Sequence, residues 1–284
     1  MTNQLKTLIL LTLLSALLIV IGGYFGGTAG LTIALAIAIA FNIFTYWFSD
    51  KIVLKMYGAR EITESDNPRL YNLVKEVAIS AKLPMPRVYI IEEDSPNAFA
   101  TGRDPKHSAV AFTTGILRIL DERELKGVIA HELAHIKNRD ILVSTIAAVI
   151  ASAIVYLVEI GRFMMIFRSS DERQNHNPIA DLLIILLAPI AAMIIQMAIS
   201  RSREFLADET GAKFIRDPIA LANALEKIEY YAYKIPLQSN PATSHMFIIP
   251  PIFEGIARLF STHPPTQERI KRLKQMARSL GIAY

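Results

Sequence analysis

Residues 121–140 read DERELKGVIAHELAHIKNRD, and this stretch decides what kind of fold the chain adopts. Asp121 to Glu124 has the form of a capping box, with Asp121 as N-cap and Glu124 three positions on, so a helix starts here and runs through Val128, Ile129 and Leu133. Residues four apart share one helix face, so His131 and His135 can converge on one ion while Glu132 points towards that ion's open position. A His-Glu-x-x-His helix is the arrangement of zinc hydrolases. Zinc held by three protein ligands keeps a water whose pKa falls to about 7, and a carboxylate beside that water can take its proton and pass it to a leaving amine. The same pattern also arises by chance, mostly on exposed helices; the capped start and the strands that precede it favour a metal site here. The chain holds no cysteine, which excludes a disulfide framework, a thiol nucleophile, an iron–sulfur cluster and a cysteine zinc site. His, Asp and Glu are left for tight coordination.

A third ligand is needed, and residues 200–208 read SRSREFLAD. Glu204 is the candidate, with Asp208 one helical turn later on the same face, where it can orient a ligand histidine through the second ring nitrogen. A Glu beside two arginines also reads as a surface ion pair. Topology favours the metal, because His131 and His135 precede one apolar run and Glu204 follows the next, so an antiparallel hairpin brings the three together. Upstream, Asp66-Asn67-Pro68 starts an amphipathic helix over 68–83, Pro84 and Pro86 end it, and 87–92 reads as a buried strand. Residues 98–101 and 108–113 flank a breaker-rich turn and predict a hairpin. Asn97, Ala98, Phe99 and Ala100 have the small side chains of an edge strand that pairs with an extended substrate; an ordinary hairpin strand is the other reading.

With 52% hydrophobic residues and a mean hydropathy of +0.34, much of the chain belongs in lipid. Its 30 basic and 26 acidic residues still supply a water-facing domain, and a dispersed net charge of +4 gives no footprint for nucleic acid. No charge falls between Lys6 and Asp50, and glycines break that run, so Thr7 to Phe25 and Leu31 to Phe48 predict a transmembrane hairpin; a cleaved signal peptide is the other reading of the first half. Ile141 to Val158 and Leu182 to Ser200 are further span candidates, with a buried hairpin in a soluble core as the alternative. Basic residues crowd the ends that flank the large domain, which puts that domain in the cytoplasm. The expected organisation is a transmembrane hairpin over 1–49, a first catalytic segment over 50–140, a second hairpin over 141–200 and a second catalytic segment over 201–284. The fold class is mostly α with a small β-sheet (α+β): a four-span helical membrane protein with a zincin-like metallopeptidase domain.

Four motifs in register, HELAHIKNRD (131–140), SRSREFLAD (200–208), NAFATG (97–102) and STHPP (261–265), make the chain resemble the HtpX family of membrane zinc metalloproteases over nearly its whole length. The resemblance implies a zinc endopeptidase of the bacterial inner membrane, with one zinc ion per chain. It would degrade damaged or misfolded membrane proteins under stress, alongside an ATP-dependent membrane protease. By that match His131, His135 and Glu204 correspond to the ligands and Glu132 to the general base.

Other residues read less sharply. His263, ahead of Pro264-Pro265, can donate to the oxyanion of a tetrahedral intermediate or cap local structure, and Arg201 and Arg203 are rivals for that charge. Asp140 orients a ligand or simply ends its helix. His107, His176 and His245 show no ligand spacing and read as surface or turn residues. The stretch from Thr266 reads as a packed or membrane-surface helix. A non-catalytic metal-binding scaffold for unfolded segments is the rival function, and Glu132 argues against it, since a scaffold has no use for a base beside bound water. A transporter would need ionisable residues in its spans, and these have none.

Overall fold

The computed structural model describes residues 3–166, 201–235, 243–249 and 264–282. Helix α1, Asn3–Met56, is two helices joined at Gly27, whose φ of 57° and ψ of −142° break the rod. Across the arms the Asn42 amide donates to the Ser15 hydroxyl at 2.8 Å, so they pack as the expected hairpin. The second arm runs past the expected end at Phe48. At ~1.5 Å per residue, the 30 residues of Gly27–Met56 measure about 45 Å, so its last turns stand clear of a ~30 Å hydrocarbon core. There Val53 and Leu54 pack into the catalytic domain, so the helix carries the chain across the boundary placed at 49/50.

Helix α2 (Pro68–Ala81) starts as predicted, with the Asn67 side chain capping Leu70 N–H. Strands β1 (Arg60–Ile62), β2 (Arg87–Ile91), β3 (Ala98–Asp104) and β4 (His107–Thr113) form one sheet in the order β1-β2-β4-β3. Only β2 and β4 run parallel, and β3 is an edge strand, hairpin-paired to β4 as predicted. Alternate side chains serve opposite faces. Val88, Ile90, Ala98, Ala100, Val110 and Phe112 enter the main core, whereas Tyr89, Ile91, Phe99 and Ala111 pack under the end of α1. Short β1 and helix α3 (Thr114–Ile119) are additions to the sequence reading.

Helix α4 (Glu122–Lys137) opens with the complete capping box of Asp121 and Glu124 and is buried along most of its length. Helix α5 (Ile141–Ile166) follows after a short turn and runs past the expected end at Val158. Its first part does not face lipid: Val143, Ile146, Ala147 and Ile150 are fully buried. Among the described residues Gly27–Met56 is the one helix long and apolar enough to cross a membrane, while Thr7–Val20 and Ile141–Ile154 are shorter apolar helices. The candidate span 182–200 and the loop before it, including His176, lie outside the described residues. Helices α6 (Arg201–Ile215), α7 (Pro218–Lys234) and α8 (Thr266–Ser279) complete the domain around α4.

Candidate metal centre

Helix α4 is held at the centre of the domain, and α6 crosses it closely at Gly211. A Cβ there would lie 2.8 Å from the Ala130 carbonyl and 2.9 Å from the His131 nitrogen, so only glycine allows this approach. The crossing brings Glu204, in the first turn of α6, and Asp208, one turn on, against the histidines of α4. His131 Nε2 and His135 Nε2 stand 3.1 Å apart, and Glu204 oxygens lie 3.7 Å from each. Two donors at ~2.05 Å from a tetrahedral zinc are themselves ~3.4 Å apart, so the three residues fit such an ion without rearrangement.

The other ring nitrogens are spoken for by carboxylates. His131 Nδ1 lies 2.9 Å from Asp208, and His135 Nδ1 lies 3.1 Å from Asp140, whose buried side chain follows the end of α4. Each contact fixes a tautomer that leaves Nε2 free for a metal. Burial, and then the charge of Arg269, hold His131 below the usual imidazole range. Burial acts the same way on His135, but Asp140 and Glu204 outweigh it and raise the ring to about 10. Such a charge environment is built for a cation. Glu132 is fully enclosed, and burial, reinforced by Glu204 against the pull of His135, raises its carboxyl to about 7, with the Ala100 N–H beside it.

Two buried residues escaped the sequence reading. Arg269 of α8 is 1% exposed and forks onto Asp208, with Nε 2.9 Å from Oδ2 and NH2 2.7 Å from Oδ1. Its Nη2 is also 3.4 and 3.3 Å from the two His131 ring nitrogens. A signal existed, because Arg269 sits one position before Ile270 and four before Leu273, on the apolar stripe of α8. His245 is not a surface residue: it is buried in a 3-10 turn, Ser244–Met246, with Nε2 3.0 Å from the Ser144 carbonyl.

That turn belongs to a strap, residues 243–249, which changes the reading of the edge strand. Thr113 N–H donates to Asn97 carbonyl towards β4, so Ala98 and Ala100 direct their backbone groups to the open edge. The edge is partly taken. Ile248 N–H donates to the Ala98 carbonyl at 3.1 Å, and Asn97 Nδ2 donates to the Ile249 carbonyl at 2.9 Å. Phe99 turns away into an aromatic cluster, its ring 5.8 Å from Tyr57 and 5.5 Å from Phe247. Of the four residues expected to meet substrate, only Ala100 lines the metal site. About 30 Å³ of space remains there, which is room for one water. His263 lies outside the described residues. Arg203 stands beside the centre, and its NH1 has no hydrogen-bond partner among the described residues.

A model of "Peptidase family M48" matches residues 64–277. A protein of Paraburkholderia phytofirmans described as "Protease HtpX homolog" is 57% identical, covering 98% of this chain and 99% of that protein. A Burkholderia multivorans protein of the same description is 56% identical over the same shares. Among solved structures, the crystal structure of S. mikatae Ste24p superposes with a TM-score of 0.52 at 16% identity, covering 95% of this chain and 65% of that one, which is a likeness of fold.

Proposed function

This chain belongs to peptidase family M48, among the HtpX protease homologues, and from that premise we propose that His131, His135 and Glu204 hold one zinc ion and that Glu132 is the general base. The protein is a membrane metalloprotease. The observation that carries the residue assignment is the convergence of His131, His135 and Glu204, whose ligand atoms all lie within 4.8 Å of one another, around a carboxyl raised to about 7. Zinc, when bound, supplies the Lewis acidity that lowers the pKa of water and polarises the scissile carbonyl.

The rest is done by the chain. Glu132 takes the water proton and returns it to the departing amine, and burial tunes its carboxyl to near neutrality, where it can do both. Asp208 and Asp140 hold the two imidazoles in the tautomers that present Nε2. The Ala100 N–H meets Glu132, which leaves its carbonyl at the open edge for an extended peptide. His263 and Arg203 are the candidates for the oxyanion, and Arg203 brings a half-buried guanidinium beside Glu204.

The substrates proposed are damaged or misfolded membrane proteins in stress quality control, with an ATP-dependent membrane protease as working partner. The proposed setting is the inner membrane, with the catalytic domain in the cytoplasm and four spans, two of them from 141–166 and 182–200. The basic residues near the ends of the apolar runs support that orientation. The test is cleavage of casein by detergent-purified protein, stripped of metal and reloaded with zinc, against Glu132→Gln. Zinc-dependent cleavage lost in a variant that still binds about one zinc establishes the assignment. Equal cleavage by both removes Glu132 from the chemistry.

A further inference from the structure

At the far side of the sheet from the metal centre, the last turns of α1 meet the tip of the β3–β4 hairpin. A cavity of about 470 Å³ lies between them, lined by Trp47, Lys51, Arg87, Arg103, Lys106 and His107, among others. The Arg103 guanidinium sits 4.5 Å from the centroid of the Trp47 ring, and Lys51 lies 5.5 Å from that of Phe48. Four cations line the cavity against a single carboxylate, Asp50, which is held by Arg87 at 2.6 Å. Asp104 lies just outside and is engaged by His107 at 2.8 Å, and the same carboxylate oxygen is 3.6 Å from Arg103 Nε. Arg87 and Arg103 each have a carboxylate partner, whereas Lys51 and Lys106 have no ion pair among the described residues, so two positive charges at the cavity stay unneutralised.

Its level along the helix matters as much as its charge. The second arm of α1 exposes Ile33, Ile37, Ile43 and Phe44 up to the aromatic trio Tyr46, Trp47 and Phe48, and then turns polar at Asp50 and Lys51. That order, apolar then aromatic then basic, is the profile of a helix leaving the hydrocarbon for the headgroup layer. The register irregularity between Gly102 and Asp104 bends the hairpin tip so that Arg103 reaches Trp47.

We propose that this junction binds the phosphate-bearing headgroup of an anionic phospholipid, with the phosphate among Lys51, Arg103 and Lys106 and the acyl chains along the exposed apolar side of α1. The proposal rests on the reading that Gly27–Met56 lies in a membrane. A polar groove open to water would fit free phosphate equally well by charge, but the adjoining apolar helix face fits the tails of a lipid.

Trp47 is the only tryptophan in the chain, so its fluorescence reports on this site alone. The full chain is reconstituted in phosphatidylcholine vesicles that carry, at equal mole fraction, either brominated phosphatidylglycerol or brominated phosphatidylcholine as quencher. Quenching by the brominated phosphatidylglycerol should exceed that by the brominated phosphatidylcholine. Reversing Arg103 and Lys106 (R103E/K106E) should remove the excess, on the order of fivefold in lipid occupancy per cation, while leaving the shared quenching. Because Arg103 touches Trp47, each variant is referred to its own emission in unbrominated vesicles, and K106E alone should lose part of the excess. Casein cleavage should be unchanged in these variants, which shows that they fold. Equal quenching by both lipids overturns the headgroup site and leaves the membrane placement standing. Loss of the excess on adding inorganic phosphate overturns lipid as the occupant, and quenching by neither lipid overturns the membrane placement itself.

Discussion

Arg269 and Asp208 meet fork to fork in the interior, with two guanidinium nitrogens 2.9 and 2.7 Å from two carboxylate oxygens. Asp208 in turn holds His131, so the C-terminal helix reaches a metal ligand through one intermediary. Burial would raise the Asp208 carboxyl, but Arg269 and His131 hold it below the usual range. Arg269→Met therefore strands a buried carboxylate. We expect a loss of about 3–5 kcal/mol by chemical denaturation and a 10–100-fold weaker hold on zinc in chelator competition. Combining it with Asp208→Leu should restore much of the stability but not the zinc affinity. Restoration of both would reduce the pair to packing.

The metal-free protein should lose stability as pH rises, in two successive windows. The Glu132 carboxyl is raised from 4.5 to about 7, so the folded state binds that proton more tightly than the unfolded chain does, and stability falls by about 3 kcal/mol across that interval. The His135 ring is raised from 6.5 to about 10, so its contribution is complete below 6.5 and fades as pH passes through 10. Glu132→Gln should flatten the lower window and spare the upper. Zinc displaces the His135 proton, so loading at pH 8 should release about one proton per chain into a weakly buffered solution. Denaturation midpoints across pH and a dye titration read both effects.

Much of this centre was legible because it is local. The capping box, the i,i+4 histidines and Glu132 lie on one turn-periodic stretch, and the order of apolar runs was enough to point to Glu204. Asp208 followed from what ligand histidines require, whereas Asp140 was left between that role and a plain helix end. Arg269 and His245 did not, because their roles depend on how the C-terminal helix and the 243–249 strap pack against elements more than a hundred residues away in sequence. The edge strand was legible as an edge, but not the Ile248 contact that partly fills it. Hydropathy alone could not separate the lipid-facing arm of α1 from the equally apolar start of α5, since both runs lack charge and only packing tells them apart.

Gly211→Ala tests whether the α4–α6 crossing sets the centre. The added Cβ meets backbone atoms of Ala130 and His131, which have no rotamer to escape by, so α6 must back away and carry Glu204 and Asp208 with it. Overpacking of this kind costs about 1–3 kcal/mol. Zinc affinity should fall together with stability. A stable variant with unchanged zinc affinity would mean the helices are free to adjust at this point.

Phe247 anchors the strap, with its ring edge-on to Tyr57 at 5.2 Å and to Phe99 at 5.5 Å. Truncation in Phe247→Ala removes about 3–5 kcal/mol of packing. Most of that loss falls on the docking of the strap, which keeps the bond from the Arg269 guanidinium to the Ile248 carbonyl at 2.8 Å as a second tether. The Ala98 carbonyl then becomes available to an extended peptide, and the narrow space around Glu132 opens. KM for casein should fall while zinc content stays the same, since Phe247 lines the metal site without supplying a ligand atom. If kcat/KM falls instead at constant zinc content, the strap forms a wall of the substrate cleft, and an incoming peptide must pair with β3 beyond Ala98, at Ala100.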